Sequence, residues 1–260
     1  MMDPAYMART LLPILLNHLD LHAYDAEAVP ERATTEALVE EHGLSKMVVK
    51  KMLTSWFGRR VNPTDPDVFI ADEDEDEGEE GGKGKGKAVE HVVRLDLPTI
   101  SRALGVQVLK EVAQPNPAKL DDVMHYWTTL LGETYREHAD ISLLRGEHLV
   151  HPAPPQRAST SIPARLQYFP SASLSLDPAA RFQELFLTRG QWLLDDLLPF
   201  IENLAVDKNK QDALLLRFCR TSKVKLPPLK TNGAGNRRSK TPGSTQKPEE
   251  VVVYSSRLRY

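Results

Sequence analysis

The chain has 260 residues, of which 41% are apolar, and its 33 Lys plus Arg against 36 Asp plus Glu give a net charge of −3. This composition is typical of a globular protein and excludes disordered, collagenous and disulfide-stapled classes. The single Cys219 excludes an intramolecular disulfide and a multi-cysteine zinc site. The longest apolar runs fall well short of the roughly 20 residues that a bilayer span needs, so no membrane partner is expected.

Charge is distributed unevenly along the chain. Residues 72–80 contain eight acids and no base, and three lysines follow among glycines at 83–87. From residue 217 to the end, eleven Lys or Arg stand against two Glu, a local charge of +9. Residues 43–60 carry five bases and no acid, whereas residues 96–151 sum to −3 from five bases and eight acids. Such asymmetry points to a polyanionic partner for the basic segments.

The first 96 residues predict three helices followed by a hairpin. An amphipathic helix opens at Asp3-Pro4 and is expected to kink or restart at Pro13. A second runs from about 31 to 41 and ends at Gly43, and Ser45 caps a third over residues 46–56. Strand segments at 61–70 and 91–95 then flank the charged stretch. This order is typical of a winged helix.

Two further segments repeat the order. The middle one predicts helices over residues 98–113, 119–131 and 139–146, then strands at 147–151 and 165–169 around a loop rich in Pro and Ser. The last predicts helices over 177–189, 193–204 and 208–222 and a closing strand VVVYSS. The fold class is therefore mainly α with small β-hairpins, in three tandem winged-helix units. These are residues 1–96, with an insertion at about 62–90; 97–170; and 171–260, with a disordered basic loop at about 225–249.

Candidate catalytic and metal-binding residues are few. The segment GGKGKGKA at 81–88 nearly matches a phosphate-binding loop, but Ala88 lacks the hydroxyl that ligates magnesium, which favours a wing tip or linker. His18 and His22, one helical turn apart, are favoured as an ordinary packing pair over a metal site. Cys219 is expected in the core, and Asp195-Asp196 in the first turn of a helix. We therefore expect no catalytic residues, no metal, no cofactor and no enzyme activity.

The basic residues are better candidates for a binding site. In the first unit they lie on the third helix, the element that enters the major groove in helix-turn-helix proteins. In the last unit they are expected at the end of the third helix, in the loop and on the closing strand, lining one phosphate-facing surface. Positive charge at a helix C-terminus is also stabilising by itself, so a purely structural role for these residues stays open beside DNA binding. The DNA-binding candidates are Lys46, Lys50, Lys51, Arg217, Arg220, Lys223, Lys225, Arg237, Arg238, Lys240, Arg257 and Arg259.

Sequence islands carry a resemblance to a known family. From Tyr168 the chain reads YFPSASLSLDPAARFQELFLTRGQWLLDDLLPFIENL, then DALLLRFCRTS and VVVYSSR, and it opens with LLPILLNHLDLHAYDAEAVP. These islands resemble the C-terminal region of the "defective in sister chromatid cohesion" family. Its members are subunits of the alternative replication factor C clamp loader. The resemblance spans almost the whole chain and is weakest between Pro115 and Ala164.

The resemblance implies a non-catalytic nuclear subunit that acts in DNA replication and sister chromatid cohesion. In the family the C-terminal half forms three winged helices, which engage DNA and the catalytic subunit of DNA polymerase epsilon. The sequence begins about where that region starts. We therefore expect no counterpart in it of the family's N-terminal β-rich half, which docks with the other clamp-loader subunits. The alternative function is a winged-helix protein-docking adaptor without DNA binding.

Overall fold

A computed structural model describes residues 3–62, 65–70, 91–153, 163–205, 207–225 and 250–257. The chain is mostly helical, with small antiparallel sheets, and it divides into two compact units. Unit 1 comprises residues 1–108 and 124–143, and unit 2 comprises residues 109–123 and 144–260. The predicted division into three units at residues 96 and 170 remains a prediction. No helix in the described ranges is long and apolar enough to cross a membrane.

Unit 1 opens with a continuous helical segment that does not end at Pro13. Helix α1 (Pro4–Tyr6) leads into a π-helical turn (Met7–Leu11) and then α2 (Leu12–Leu21). Leu12 N–H donates to the Met7 carbonyl across the wider turn. Pro13 follows directly, so the irregular turn accommodates its missing donor. Of the predicted kink or restart at Pro13, the restart is wrong, because the helix continues through it. Leu11, Leu12, Leu15 and Leu19 are fully buried along the segment.

The next two helices lie close to their predicted bounds. Helix α3 (Glu31–His42) ends at Gly43, whose φ of 64° is left-handed. This conformation is easiest for glycine and explains the stop. Helix α4 (Lys46–Lys51) continues as a π turn (Met52–Trp56), so residues 46–56 are helical as predicted but not uniformly α. Val49, Met52 and Leu53 form its buried side, while Val48 and Trp56 are only half-buried.

A four-stranded antiparallel sheet follows these helices in unit 1. Its strands are β1 (Val29–Pro30), β2 (Gly58–Asn62), β3 (Asp65–Phe69) and β4 (Val92–Leu95), in the order β1-β4-β2-β3. The predicted strand at 61–70 is thus two strands, β2 and β3, which form a tight hairpin. The insertion predicted at about 62–90 is wrong at its start, since residues 65–69 form β3 and pair with β2. Residues 71–90 lie outside the described residues.

Helices α5 (Leu97–Val112) and α6 (Leu120–Tyr135) match the predicted pair, with Ile100, Leu104, Val123 and Trp127 buried. Regular helix in α6 stops at Gly132, whose φ of 77° and ψ of 176° are non-helical. The helix predicted over 139–146 is wrong in extent, since only a 3₁₀ turn forms there (Ile141–Leu144). The backbone is not helical at either end of the predicted segment, because Ala139 has a ψ of 81° and Gly146 a left-handed φ of 77°.

Unit 2 contains two three-stranded antiparallel sheets. The first comprises β5 (Ala118–Lys119), β6 (His148–His151) and β7 (Arg165–Tyr168) in the order β5-β7-β6. The second comprises β8 (Gln191–Trp192), β9 (Cys219–Lys225) and β10 (Glu250–Ser256) in the order β8-β10-β9. Its helices are α7 (Pro178–Thr188), α8 (Leu194–Leu197), which continues in 3₁₀ turns, and α9 (Lys208–Phe218).

The three sheets share one strand arrangement. In each sheet, a two-residue strand lies between two helices and pairs with the second strand of a later antiparallel pair. The short strands β1, β5 and β8 pair with β4, β7 and β10, which also pair with β2, β6 and β9. The closing strand is central every time, between the short strand and the first strand of the hairpin. The same connection order therefore recurs three times along the chain.

The core of unit 2 forms around aromatic side chains. Phe182 and Phe218 stack with ring centroids 4.9 Å apart, and Trp192 and Phe200 meet edge to face at 5.7 Å. Leu185, Leu197 and Ile201 are fully buried in the same cluster. Cys219 also lies in this cluster, which confirms its predicted place in the core.

Candidate nucleic-acid interface

The basic residues after Phe218 lie on a strand and not on a helix. Helix α9 ends at Phe218, and the next seven residues form β9, which pairs with β10 from Cys219 opposite Ser256 to Lys225 opposite Glu250. The prediction that Arg220, Lys223 and Lys225 end the third helix is therefore wrong. Thr221 and Val224 favour extended backbone, and pairing with the VVV segment of β10 satisfies the donors and acceptors that a longer helix would otherwise bond.

The strand separates its cations onto two faces. Lys223 lies opposite Val252 and Lys225 opposite Glu250, whereas Arg220 lies opposite Ser255. Because successive side chains of a strand point to opposite faces, Lys223 and Lys225 share one face and Arg220 lies on the other. All three are exposed. The described part of the hairpin thus presents a pair of lysines on one face and one arginine on the reverse.

Two other candidates in unit 2 make contacts within the fold. Arg257 donates from its guanidinium to the Leu216 carbonyl, and its N–H donates to the Phe218 carbonyl at 2.9 Å. Arg257 thereby binds the C-terminal carbonyls of α9, a stabilising position for a cation. Arg217, the one candidate on α9, lies over the Phe218 ring with its guanidinium carbon 5.2 Å from the centroid. Arg237, Arg238, Lys240 and Arg259 lie outside the described residues.

The candidates of unit 1 lie on α4, as predicted. Lys46, Lys50 and Lys51 are all exposed there, and Lys46 and Lys50 share a face one turn apart. The two arginines that follow on β2 behave differently from each other. Arg59 is exposed, with its guanidinium carbon 5.7 Å from the centroid of the Phe69 ring.

Arg60 is buried and forms an ion pair that sequence reasoning missed. Its Nε and Nη2 donate to the two carboxylate oxygens of Glu31 at 2.6 and 2.8 Å, and both side chains are less than a tenth exposed. Glu31 lies 29 residues earlier, at the start of α3. Nothing in the local pattern marks this pairing, because strand β2 brings the two together only in the folded chain.

The exposed lysines are electrostatically available. Within the described ranges no carboxylate lies within 4 Å of Lys46, Lys50 or Lys51, nor of Arg220, Lys223 or Lys225. Binding a phosphate at these positions breaks no ion pair among these residues. Phosphate contacts of this kind position a protein on nucleic acid without reading its sequence.

The remaining chemistry-bearing residues serve the fold. Burial raises the pKa of Cys219 to about 12, so its thiol stays protonated and unreactive. Asp195 and Asp196 do lie in the first turn of a helix, α8. His18 and His22 pack with ring centroids 4.4 Å apart, and within the described ranges no group of three or more ligands is placed to hold a metal ion.

Comparison with known proteins connects the chain to one family. A family model described as "Sister chromatid cohesion protein Dcc1" matches residues 1–201. The Saccharomyces cerevisiae protein named "Sister chromatid cohesion protein DCC1" is 28% identical over 138 residues, which cover 53% of this chain. The match spans about a third, 34%, of the length of that relative.

Proposed function

Because the chain belongs to the Dcc1 family of sister chromatid cohesion proteins, we propose that it is a non-catalytic accessory subunit of an alternative DNA replication clamp loader. Family membership gives it a role in sister chromatid cohesion. In the proposed role it works in the nucleus, in a complex with the other clamp-loader subunits. It contacts DNA phosphates and the catalytic subunit of polymerase epsilon.

We further propose that the contacts are made by three winged helices. The recurrent arrangement of a short strand pairing with the closing strand of a hairpin supports this reading, because it occurs three times in the same order. In the first proposed winged helix, α4 is the third helix and the hairpin of β2 and β4 is the wing. In the last proposed winged helix, α9 is the third helix and the hairpin of β9 and β10 is the wing.

The observation that carries the DNA contact is the exposed lysine pair of β9. Lys223 and Lys225 lie on one face of a proposed wing, and within the described ranges neither has a carboxylate within 4 Å. The sequence following β9 adds Lys230, Arg237, Arg238, Lys240 and Lys247 before β10 begins. A wing with this charge suits the phosphate backbone, and its contacts are independent of base sequence.

The test is binding of a fluorescent primer–template duplex over a series of salt concentrations. For the unmodified chain, log affinity falls linearly with log salt at about −0.9 per phosphate contact. The double variant Lys223→Glu/Lys225→Glu removes two contacts, so the slope becomes shallower by about 2. Arg220→Glu changes the opposite face of the same strand. An unchanged salt slope in this variant means that only the face with Lys223 and Lys225 contacts DNA, and a shallower slope means that both faces do.

The matched control is Lys208→Glu/Lys210→Glu on the first turn of α9, which makes the same change of charge at exposed positions. This control keeps the slope if the β9 lysines make specific contacts. An equal reduction of the salt slope in both double variants means that DNA binding depends only on net charge and not on the position of the lysines. Absence of binding by the unmodified chain at low salt overturns the DNA contact.

The second candidate is a docking adaptor without DNA binding. Among the residues that the structure describes, β3 is an edge strand, and the apolar side chains of Val68 and Phe69 are about half exposed, at 47% and 54%. Exposed apolar residues on an unpaired edge are typical of a surface that receives another chain. This candidate predicts no measurable duplex binding and retained binding of a protein partner after charge reversal on β9.

A further inference from the structure

The face of β9 that presents Lys223 and Lys225 also presents a third polar side chain, that of Thr221. The pairing of β9 with β10 is continuous from Cys219 to Lys225, so side chains two residues apart on β9 lie on one face. Thr221 therefore shares the face of the two lysines, and it is exposed. Ser222, also exposed, lies on the opposite face. The strand thus directs two neighbouring hydroxyls to two different faces.

The hydroxyl of Thr221 is available to a ligand. Within the part of the chain that the structure describes, its Oγ1 has no hydrogen-bond partner. Threonines on helices differ, since those at 35, 54 and 188 each donate to the carbonyl four residues earlier. In an extended strand that carbonyl is about 13 Å away, so this local bond is not possible for Thr221. Its hydroxyl can therefore donate to a group outside the strand.

The Thr221 end of this face is the end more favourable to an anion. The three residues of the face and their partners on β10 are Thr221 with Tyr254, Lys223 with Val252, and Lys225 with Glu250. Among the described residues of this face of the hairpin, Glu250 is the one carboxylate, and it lies at the end farthest from Thr221. A phosphate beside Thr221 and Lys223 is therefore repelled least.

The spacing of the three side chains matches a nucleic-acid backbone. Residues two apart on an extended strand are separated by about 6.6 Å. Neighbouring phosphates of one nucleic-acid strand are separated by a similar distance. Three donors with this repeat on one face can therefore contact three successive phosphates, two of them as ammonium groups and one as a neutral hydroxyl.

We propose that Thr221 is a third phosphate contact of β9, donating a hydrogen bond to the phosphate next to those bound by Lys223 and Lys225. This inference rests on the proposed DNA contact of β9. Lysine side chains are long and flexible, and they reach a phosphate from many orientations of the strand. Threonine is short and stiff at χ1, so its hydroxyl reaches a phosphate only where the strand itself lies close to the backbone. The Thr221 contact therefore fixes the distance and tilt of β9 against the DNA.

The test removes the hydroxyl and the methyl group of Thr221 in separate variants of the full chain. Thr221→Val lacks the hydroxyl and keeps the shape, so we expect affinity for the fluorescent duplex to fall at least about threefold at every salt concentration. The salt slope is unchanged, because a neutral donor releases no counterion. Thr221→Ser keeps the hydroxyl and the affinity. A packing role gives the reverse result, with Thr221→Ser impaired and Thr221→Val normal, and overturns the proposal.

A gain-of-contact variant tests the same face without removing a contact of the lysines. Thr221→Lys places a third ammonium group beside the DNA, and we expect the slope of log affinity against log salt to steepen by about 0.9. Ser222→Lys makes the same change of charge one residue away on the opposite face, and it leaves the slope unchanged. Equal slopes in these two variants overturn the placement of Thr221 against a phosphate.

Failure of this proposal is distinguishable from failure of the proposed function. If the unmodified chain does not bind the duplex, or if Lys223→Glu/Lys225→Glu keeps its salt slope, the DNA contact of β9 fails and the role of Thr221 fails with it. If that double variant has the shallower slope but Thr221→Val binds as tightly as the unmodified chain, only the role of Thr221 is overturned.

Discussion

His18 is the residue whose burial is least compensated within the described ranges. It is 3% exposed, and neither ring nitrogen has a hydrogen-bond partner there. Burial first, and then repulsion from His22, lowers the pKa of His18 below its usual 6.5, while Glu41 opposes and His42 adds to this shift. The folded state therefore requires a neutral ring, because a charged one is buried without a partner.

This burial predicts a pH dependence of stability. Because the folded pKa of His18 lies below the unfolded value, its protonation costs no stability above about pH 6.5, and stability falls as the pH drops through the folded pKa. We expect His18→Leu to raise the free energy of unfolding by about 1 kcal/mol at pH 7.5 and to flatten its pH dependence below pH 6.5. Urea unfolding between pH 5 and 7.5 measures both. The exposed His125→Gln is the control, and an unchanged pH profile in His18→Leu contradicts the assignment.

The pair of Arg60 and Glu31 predicts a strongly non-additive pair of substitutions. Arg60→Met leaves a buried carboxylate without its donors and costs about 3 to 5 kcal/mol. Replacing both partners, as Glu31→Leu/Arg60→Met, recovers most of that loss, because neither charge is then buried unpaired. Urea unfolding of Arg60→Met, Glu31→Leu and the double variant completes a double-mutant cycle and gives the coupling free energy of the pair. Arg59→Met, exposed on the same strand, is the control and stays within about 0.5 kcal/mol of the unmodified chain.

At the scale of elements, the junction of the π turn with strand β2 depends on one glycine. A Cβ at Gly58 would lie 2.3 Å from the Leu53 carbonyl oxygen, 2.9 Å from that of Arg94 and 2.8 Å from the Val93 side chain. Two of these neighbours are backbone atoms and cannot move independently. The close approach of β2 to β4 and to the preceding turn therefore requires a residue without a side chain.

We expect Gly58→Ala to destabilise the fold by about 2 to 3 kcal/mol, in the range of overpacked sites. Thermal unfolding followed by circular dichroism measures the loss. Gly190→Ala is the matched control, because no atom lies within 4 Å of a Cβ built there. Equal behaviour of the two variants would contradict the steric argument.

The whole molecule is expected to fold without its charged insertion. Residues 72–87 carry eight acids and three lysines among glycines, and this composition cannot bury enough apolar surface to contribute to a core. Replacing them with a short Gly-Ser linker changes loop-closure entropy by only about 1 kcal/mol. We expect one cooperative melting transition within a few degrees of that of the unmodified chain. Loss of this transition, measured by calorimetry, would show that the segment is structural.

The sequence by itself determined most helices, the closing strand and the family. Apolar residues at helical spacing and a glycine stop are local signals, so α3, α5 and α7 fall within a residue or two of their predicted bounds. The same local signals misjudged α9, because residues 219–222 continue a helical pattern until β10 pairs with them. The partner of β9 begins at Glu250, 25 residues after Lys225, and the local pattern of residues 219–225 does not indicate this pairing.

Only the tertiary structure decided which basic residues are available to a partner. Charge counts marked Lys223, Lys225, Arg60 and Arg257 alike as cationic. The fold then buried Arg60 against Glu31, placed Arg257 on the end of α9 and left the two lysines on one exposed strand face. The reason is physical: a side chain's charge is a property of its residue type, whereas its counter-ion, its burial and the face it occupies depend on residues that are distant in sequence and adjacent only after folding.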